Sequence, residues 1–308
     1  MAIAEVKGVA QLQHYEPEKY HPLFMERFYD ELFLNQICNR DYEGEIKDTG
    51  AKVHIRQLPD VQIRPYKKGQ ILTHDVLEAT DVEFSVNRAL YWAFKLDTLT
   101  EMLTDMKGFS STVTKNADKN LAVYIERELF NTVCTQAHET NSGEKAGAQS
   151  GVFNLGTDEA PVDVTKLNAP DIIAAAGTCL EEQEGGTQED PFMIIPPAFG
   201  FRIQTSELKG ANLTGDPETL LRKNVTMLGK IAGFTVYTSN LLSKTSGGAF
   251  RCIFGNKKAI TYADQIVKSE VKPIENEFGW KFQALHTYDW KVMYPQFLGC
   301  IRAKFSAI

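Results

Sequence analysis

The chain has 308 residues, of which 43% are hydrophobic and 24% are charged, as in an ordinary globular protein. Its 40 acidic and 33 basic residues give a net charge of −7. No cluster of basic residues is dense enough to bind a phosphate backbone, so specific nucleic-acid binding is not expected. No apolar run approaches the ~20 residues of a membrane span, and residues 1–10 lack the apolar core of a signal peptide. We therefore expect a soluble protein that stays in the compartment where it is made.

The first 45 residues are predicted to form an arm that contains some helix. Pro22 stands at a position typical of a helix start. An apolar stripe at helical spacing follows it within residues 20–38. The stripe consists of Phe24, Phe28, Leu32 and Phe33.

Alternating side chains then predict two unusually long strands. Residues 82–96 place an apolar side chain at seven of eight alternate positions, which is the period of a strand buried on one face. At roughly 3.3 Å per residue this stretch would span about 50 Å, whereas ordinary strands run roughly 17–20 Å. Residues 52–65 repeat the alternation with a break at Pro59, which suits an exposed edge or a bulge.

The segment between these strands, residues 66–80, is far longer than a hairpin turn of roughly 2–5 residues. Because a two-stranded ribbon is only marginally stable alone in water, we predict that it lies on a neighbouring copy of the chain as an arm for assembly. A phosphate contact at the tip is an alternative, as is a charged tip that keeps the ribbon soluble or pairs with acids on a neighbour. The candidate inter-subunit contacts are Tyr66, Lys67, Lys68, Gly69, Gln70, Ile71 and Leu72.

A long helix is predicted from Phe109 to Ser142, a stretch without glycine or proline that Gly108 precedes and Gly143 follows. Its apolar residues recur every four positions, so their row drifts by about 40° per step around the helix. Such a helix contacts different neighbours along its length. Residues 141–165 are rich in glycine, which predicts loops or a short hairpin.

The second half of the chain mixes helix and strand. We predict a helix at residues 167–183, a buried strand at 191–197 and helices at 198–208 and 217–224. The remaining segments up to the C-terminus are rich in strand formers. Because helices and strands do not alternate regularly, the pattern favours an α+β fold.

Motifs for chemistry are missing from the sequence. It contains no phosphate-binding loop, dinucleotide fingerprint, zinc-protease motif or nucleophile elbow. The six histidines never fall at ligand spacing, and acid pairs such as Glu181–Glu182 are more simply solvated helix faces than a general acid and base. We therefore expect no enzymatic activity, no metal and no cofactor. The five cysteines are widely spaced and are expected to be reduced: Cys38, Cys134, Cys179, Cys252 and Cys300.

The order of these parts resembles the major capsid proteins of tailed bacteriophages, whose HK-ninety-seven-like fold also forms encapsulin shells. The stretches that carry the resemblance are VNRALYWAFKLDTLTEM, PFMIIPPAFGFRI, LGKIAGFTVYTSNLL and FGNKKAITYADQI, and it covers most of the chain from Phe33 to Phe305. It implies an N-terminal arm, an extended β-ribbon loop, a peripheral domain with a long spine helix, and an axial domain. The implied ranges are 1–47 for the arm, 48–81 for the loop, 82–166 and 266–308 for the peripheral domain, 110–140 for the spine helix and 167–265 for the axial domain.

The resemblance implies a coat protein that self-assembles into hexamers and pentamers of an icosahedral shell around double-stranded DNA. Its implied partners are further copies of itself, scaffolding and portal proteins, and packaged DNA bound without sequence specificity, with no membrane. The implied location is the virion capsid, assembled in the host cytoplasm. An acidic chain without a basic groove suits a container that holds DNA without gripping it.

Some members of this family join neighbouring subunits through a lysine–asparagine isopeptide bond. Lys67 or Lys68 stands where such a lysine could be, but no matching asparagine and glutamate motif is present. Two alternatives remain open at this point. One is an encapsulin-like compartment shell, and the more distant one is a cytosolic enzyme whose site the sequence does not reveal.

Overall fold

The computed structural model describes residues 32–41, 52–57, 61–71, 74, 76, 80–98, 109–183, 190–206 and 227–306. Within these ranges the α-helices are α1 Leu34–Ile37, α2 Phe109–Val133, α3 Ala169–Glu181 and α4 Pro197–Gln204. The strands in the same ranges are β1 Lys52–Gln57, β2 Thr80–Ser85, β3 Arg88–Asp97, β4 Val162–Asp163, β5 Phe192–Ile195, β6 Met227–Ile231, β7 Phe234–Thr238, β8 Phe250–Gly255, β9 Ile260–Pro273, β10 Gly279–Val292 and β11 Leu298–Lys304. The mixture of helices and strands without βαβ alternation confirms the predicted α+β class.

The described strands form three sheets. β1 and β2 make an antiparallel pair, and β10 lies between β3 and β9 in a three-stranded antiparallel sheet. The third sheet has the order β4-β11-β8-β5-β7-β6, with parallel pairing between β4 and β11 and between β5 and β7. The longest strands among the described residues are thus β9 and β10, of 14 residues each.

The single long strand predicted at residues 82–96 is divided between two sheets, so that prediction is wrong in its length. β2 pairs with β1, and β3 pairs with β10. The backbone N–H of Asn87, between the two strands, donates to Oδ2 of Asp289 at 3.2 Å. The burial pattern itself is confirmed, because Phe84, Val86 and Leu96 are all buried. The alternation of apolar and polar residues shows which face of a strand is buried, but it does not show which strand pairs with it.

The predicted long helix begins at Phe109 as expected but ends at Val133, short of both Ser142 and the implied spine-helix end at residue 140. Two 3₁₀ turns follow, at Cys134–Gln136 and Glu139–Asn141. The side-chain amide of Asn141 donates to the carbonyl of Gln296 at 2.6 Å. The chain beyond the helix is therefore held by a distant segment, and no glycine or proline marks the end of the helix at Val133.

Two hydrophobic cores lie on opposite faces of the six-stranded sheet. The first is shared with α2 and the three-stranded sheet, and the second is covered by α3 and α4. β5 shows the division directly, since Phe192 and Ile194 enter the first core while Met193 and Ile195 enter the second. A strand covered on both faces has a continuous apolar sequence, which is why this segment was recognisable as a buried strand.

Several other predicted elements can be placed. β5 and α3 lie within their predicted ranges, and α4 ends at Gln204, four residues before the predicted end. The helix predicted at 217–224 and most of the one predicted at 20–38 lie outside the described residues. β11 pairs with β8 in the six-stranded sheet, so the C-terminal segment from residue 266 contributes to two sheets. The domain boundaries themselves stay predictions.

Two of the five cysteines, which were all expected to be reduced, form a disulfide. Cys134 and Cys300 form a disulfide with Cα atoms 5.4 Å apart, within the usual range of about 4.4–6.8 Å. The two residues are 166 positions apart in the sequence, so spacing gave no sign of the pairing. Cys38, Cys179 and Cys252 are free and buried, as predicted. Burial raises the pKa of Cys179 to about 12, which keeps that thiol protonated and unreactive.

Candidate assembly surface

The base of the β1–β2 ribbon packs against its own subunit. Phe84 and Val86 form a small buried cluster with Ala263 of β9, and the partly buried side chains of Val53 and Ile55 pack against it. The ammonium group of Lys291, on β10, also donates to the backbone carbonyl of Glu83 at 2.7 Å. The base of the ribbon therefore lies on its own subunit, and the contact of the rest of the ribbon with a neighbouring copy stays a prediction.

The tip of the ribbon loop is different, because every residue described there is exposed. Exposed apolar side chains scattered singly are ordinary, but several of them in one short segment mark a surface that a partner covers. The exposed fractions are 98% for Ile63, 66% for Tyr66, 90% for Ile71 and 87% for Val76. The end of the β9–β10 hairpin is another described part of the chain with several such side chains, among them Val271, Phe278 and Trp280.

A closed turn shapes this tip. The backbone N–H of Gln70 donates to the carbonyl of Lys67 at 3.0 Å, and the N–H of Lys67 donates to Oε1 of Gln70 at 3.2 Å. Gly69 has a φ of 86°, a conformation that favours glycine at the third position of such a turn. The turn presents Lys67 and Lys68 at the end of the loop.

Six of the seven predicted contact residues, Tyr66 to Ile71, thus lie together on this exposed tip. Leu72 lies outside the described residues. The sequence predicted the exposure of this tip but not its turn.

Where the chain leaves the ribbon, Arg88 makes a network that the sequence reasoning missed. Its Nη1 lies 2.7 Å from Oε1 of Glu128 on α2, and its Nε lies 3.3 Å from Oδ1 of Asp289 on β10. The guanidinium carbon is 3.8 Å from the ring centre of Trp290. Arg88 was the one charged residue among the alternate apolar positions of 82–96, and that exception was the available signal.

The second oxygen of Glu128 completes the network. The hydroxyl of Tyr288 donates to Glu128 Oε2 at 2.6 Å. Burial, and after it the hydrogen bond to Glu128, raises the pKa of Tyr288 well above its ordinary value, so the hydroxyl stays a proton donor. The first residue of β3 is thereby fixed to α2 and to β10.

A cavity of about 410 Å³ lies between α2, the three-stranded sheet and residues 32–40, and it bears on the enzyme alternative. Asp264, Ser269 and His286 all line it, and Nε2 of His286 is 3.5 Å from Oδ2 of Asp264. Nδ1 of His286, however, has no hydrogen-bond partner among the described residues. The nucleophile–base hydrogen bond that such a triad requires is therefore not formed.

Within the described ranges, no group of three or more histidine, cysteine, aspartate or glutamate side chains is arranged to hold a metal ion. No helix in the same part of the chain is long and apolar enough to cross a membrane. The absence of a metal and of a cofactor stays a prediction.

Comparison with known proteins places the fold. No protein-family model matches the chain, and the search of curated proteins gave no match either. Among solved structures, a chain from Mycobacterium phage Che8 matches with a TM-score of 0.71 and 19% identity, covering 96% of this chain and 98% of that one. The capsid of the Cyanophage P-SCSP1u matches with a TM-score of 0.65 and 14% identity, covering 95% and 94%.

An encapsulin is also similar to this chain. The SrpI encapsulin from Synechococcus elongatus PCC 7942 matches with a TM-score of 0.54 and 10% identity, covering 91% of this chain and 92% of that one. The phage structures match with higher TM-scores. This chain therefore has the HK-ninety-seven-like fold of the capsid proteins of tailed bacteriophages.

Proposed function

We propose that this chain is the major capsid protein of a tailed bacteriophage and assembles into the hexamers and pentamers of an icosahedral shell. The observation that carries the proposal is the extent of the structural match. The Che8 chain is covered over 98% of its length and this chain over 96%, so the similarity extends over nearly the whole of both chains. The capsids of the Cyanophage P-SCSP1u and of Ralstonia phage GP4 are among the similar structures.

The ribbon tip is the part of the surface that best fits a contact between subunits. Its base is anchored by Phe84 and Val86, whereas Tyr66 and Ile71 near its end are exposed. A turn closed between Lys67 and Gln70 limits the conformational entropy lost when the tip binds. We assign the contact to residues 66–72 of each copy, seated on an adjacent copy of the chain.

The domain roles follow the same proposal. Residues 1–47 serve as an arm, 48–81 as the extended loop, 82–166 with 266–308 as the peripheral domain, and 167–265 as the axial domain around the hexamer and pentamer centres. Scaffolding and portal proteins and packaged double-stranded DNA are the further partners, with assembly in the host cytoplasm. The role is structural, without catalysis.

An encapsulin-like compartment is the second candidate, and the match to the SrpI encapsulin supports it. The contents of the particle separate the two functions. Electron microscopy and nucleic-acid analysis of particles from phage-infected cells should find double-stranded DNA inside shells made of this chain. Shells that form from the chain alone and enclose protein cargo without DNA would support the compartment instead.

A further inference from the structure

The first half of α2 is packed less closely than the second half. Among the α2 side chains that the structure describes, those that are buried all lie from Ile125 onward. Val113, Ala117 and Leu121 belong to the apolar row of the helix but are only half-buried. Because an amphipathic helix normally buries its whole apolar face, the described residues cover the face of this half of α2 only in part.

The cavity of about 410 Å³ lies along this half-covered face. α2 lines it with Leu121, Ala122 and Ile125, and β3 lines it with Trp92, whose indole N–H donates to Oδ1 of Asp118 at 3.0 Å. Trp92, Leu121 and Ala122 are each half-buried, so this apolar part of the wall is reachable from solvent. A cavity of this size can hold a drug-sized molecule, and hence two aromatic side chains.

The charged groups in the remaining lining already have partners within the subunit. Arg40 forms an ion pair with Asp264, and Oε2 of Glu126 accepts a hydrogen bond from the backbone N–H of Phe33 at 3.0 Å. The cavity therefore suits an apolar occupant better than a charged one.

The chain itself supplies a segment of matching character. Leu32, the residue at which the described chain begins, lines the cavity. Just before it, Phe24 and Phe28 continue an apolar stripe at the four-residue spacing of one helix face, and Glu26 and Asp30 fall on the opposite face of such a helix. At 1.5 Å per residue, a helix from Phe24 to Leu32 is about 12 Å long, so both rings are within reach of the cavity.

We propose that residues 20–31 of the same chain form a helix that docks on the first half of α2 and places Phe24 and Phe28 in the cavity. Its acidic face, with Glu26 and Asp30, is then turned to solvent. The docked helix completes the cover of α2 and fixes the root of the N-terminal arm on its own subunit. The inference goes beyond the shell function and does not depend on it.

The first test places a thiol in the cavity with Ala122→Cys and measures its rate of alkylation by N-ethylmaleimide in the full-length chain. Mass spectrometry of the peptide that contains residue 122 gives the rate. Adding Phe24→Ser with Phe28→Ser should speed alkylation by about tenfold or more, because the thiol loses its cover. Adding Glu26→Ser with Asp30→Ser, on the opposite face of the helix, is the matched control and should leave alkylation slow. Equal rates with the two pairs of changes would overturn the proposal.

A cross-linking test identifies the occupant and decides the matter even if the double serine variant fails to fold. In Phe28→Cys with Ala122→Cys, oxidation by copper phenanthroline should join the two positions within one chain, so the linked chain runs as a monomer on a non-reducing denaturing gel. Phe28→Cys with Asn120→Cys should stay unlinked, because Asn120 is exposed and lies about 160° around α2 from Ala122. A linked dimer would assign the cavity to the segment of a neighbouring copy, and no link at all would assign it to another occupant. Either result contradicts the proposal.

Discussion

Arg88 and Glu128 form a 2.7 Å ion pair that joins the first residue of β3 to the second half of α2. The pair lies where the ribbon returns to the body of the subunit, so it fixes the direction in which the ribbon leaves. Trp290 beneath the guanidinium group and Tyr288 on the other carboxylate oxygen hold the pair in place. The position of the exposed tip thus depends on contacts made at the opposite end of the ribbon.

Replacing Arg88 should therefore weaken the subunit. In Arg88→Met the half-buried Glu128 loses its ion pair and Trp290 loses its cation–π contact, and we expect a loss of about 1–2 kcal/mol in the free energy of unfolding. Urea denaturation of the unassembled chain measures it. Lys95→Met is the matched control on the same strand, because the ion pair between Lys95 and Glu277 is well exposed and should contribute much less to the free energy of unfolding. Equal losses in the two variants would contradict the assigned role of Arg88.

The anchoring of the ribbon base predicts a local effect of Phe84→Ala. This change removes most of the buried cluster that holds β1 and β2 on β9. Amide hydrogen exchange in 52–57 and 80–85 should become faster by at least tenfold in the isolated subunit, while amides of β10 keep their protection. Unchanged exchange in the ribbon of the isolated subunit would contradict the anchoring of its base by Phe84.

The disulfide between Cys134 and Cys300 should contribute measurably to stability. It ties the end of α2 to β11 and closes a loop of 166 residues, for which the chain-entropy account gives about 5 kcal/mol and typical measurements give 2–4 kcal/mol. A reducing agent should lower the melting temperature of the wild type. The double variant Cys134→Ala with Cys300→Ala should melt at a lower temperature and be insensitive to the reductant. Cys252→Ala, a free buried cysteine, is the control that keeps the response.

The tip of the ribbon should be dispensable for folding and required for assembly. Deleting residues 67–73 and closing the gap with a short glycine-containing turn removes the exposed residues 67–71, which lie outside every described core. The melting temperature of the subunit should change little. Shells should fail to form or be unstable, because a loss of about 1–2 kcal/mol per contact is repeated in every copy of a closed assembly. Circular dichroism melts and particle counts separate the two effects, and normal shells from the deleted chain would contradict the proposal.

Much of the fold could be predicted where the signal is local. The buried faces of β2 and β3 and the start of α2 each follow from neighbouring residues and the period of the pattern. The end of α2 could not be predicted, because no glycine or proline marks it. The chain just beyond it is held by a distant segment, since Asn141 bonds to Gln296, 155 residues further along the chain. The split between β2 and β3 is equally non-local, since it depends on where β1 and β10 lie.

The candidate surface divides in the same way. The exposure of Tyr66, Lys67 and Gly69 could be predicted from the length and composition of the segment around them. The partners of Arg88 could not be predicted, because Glu128 and Asp289 belong to distant segments and meet Arg88 only in the fold.

The central claim is that this chain exists as an assembly, and the molar mass of the purified protein tests it most directly. Light scattering coupled to size-exclusion chromatography should detect capsomers or shells, with and without a scaffolding protein, and no stable species at the 34.5 kDa of a single chain. A monodisperse monomer at high concentration under both conditions would contradict the account.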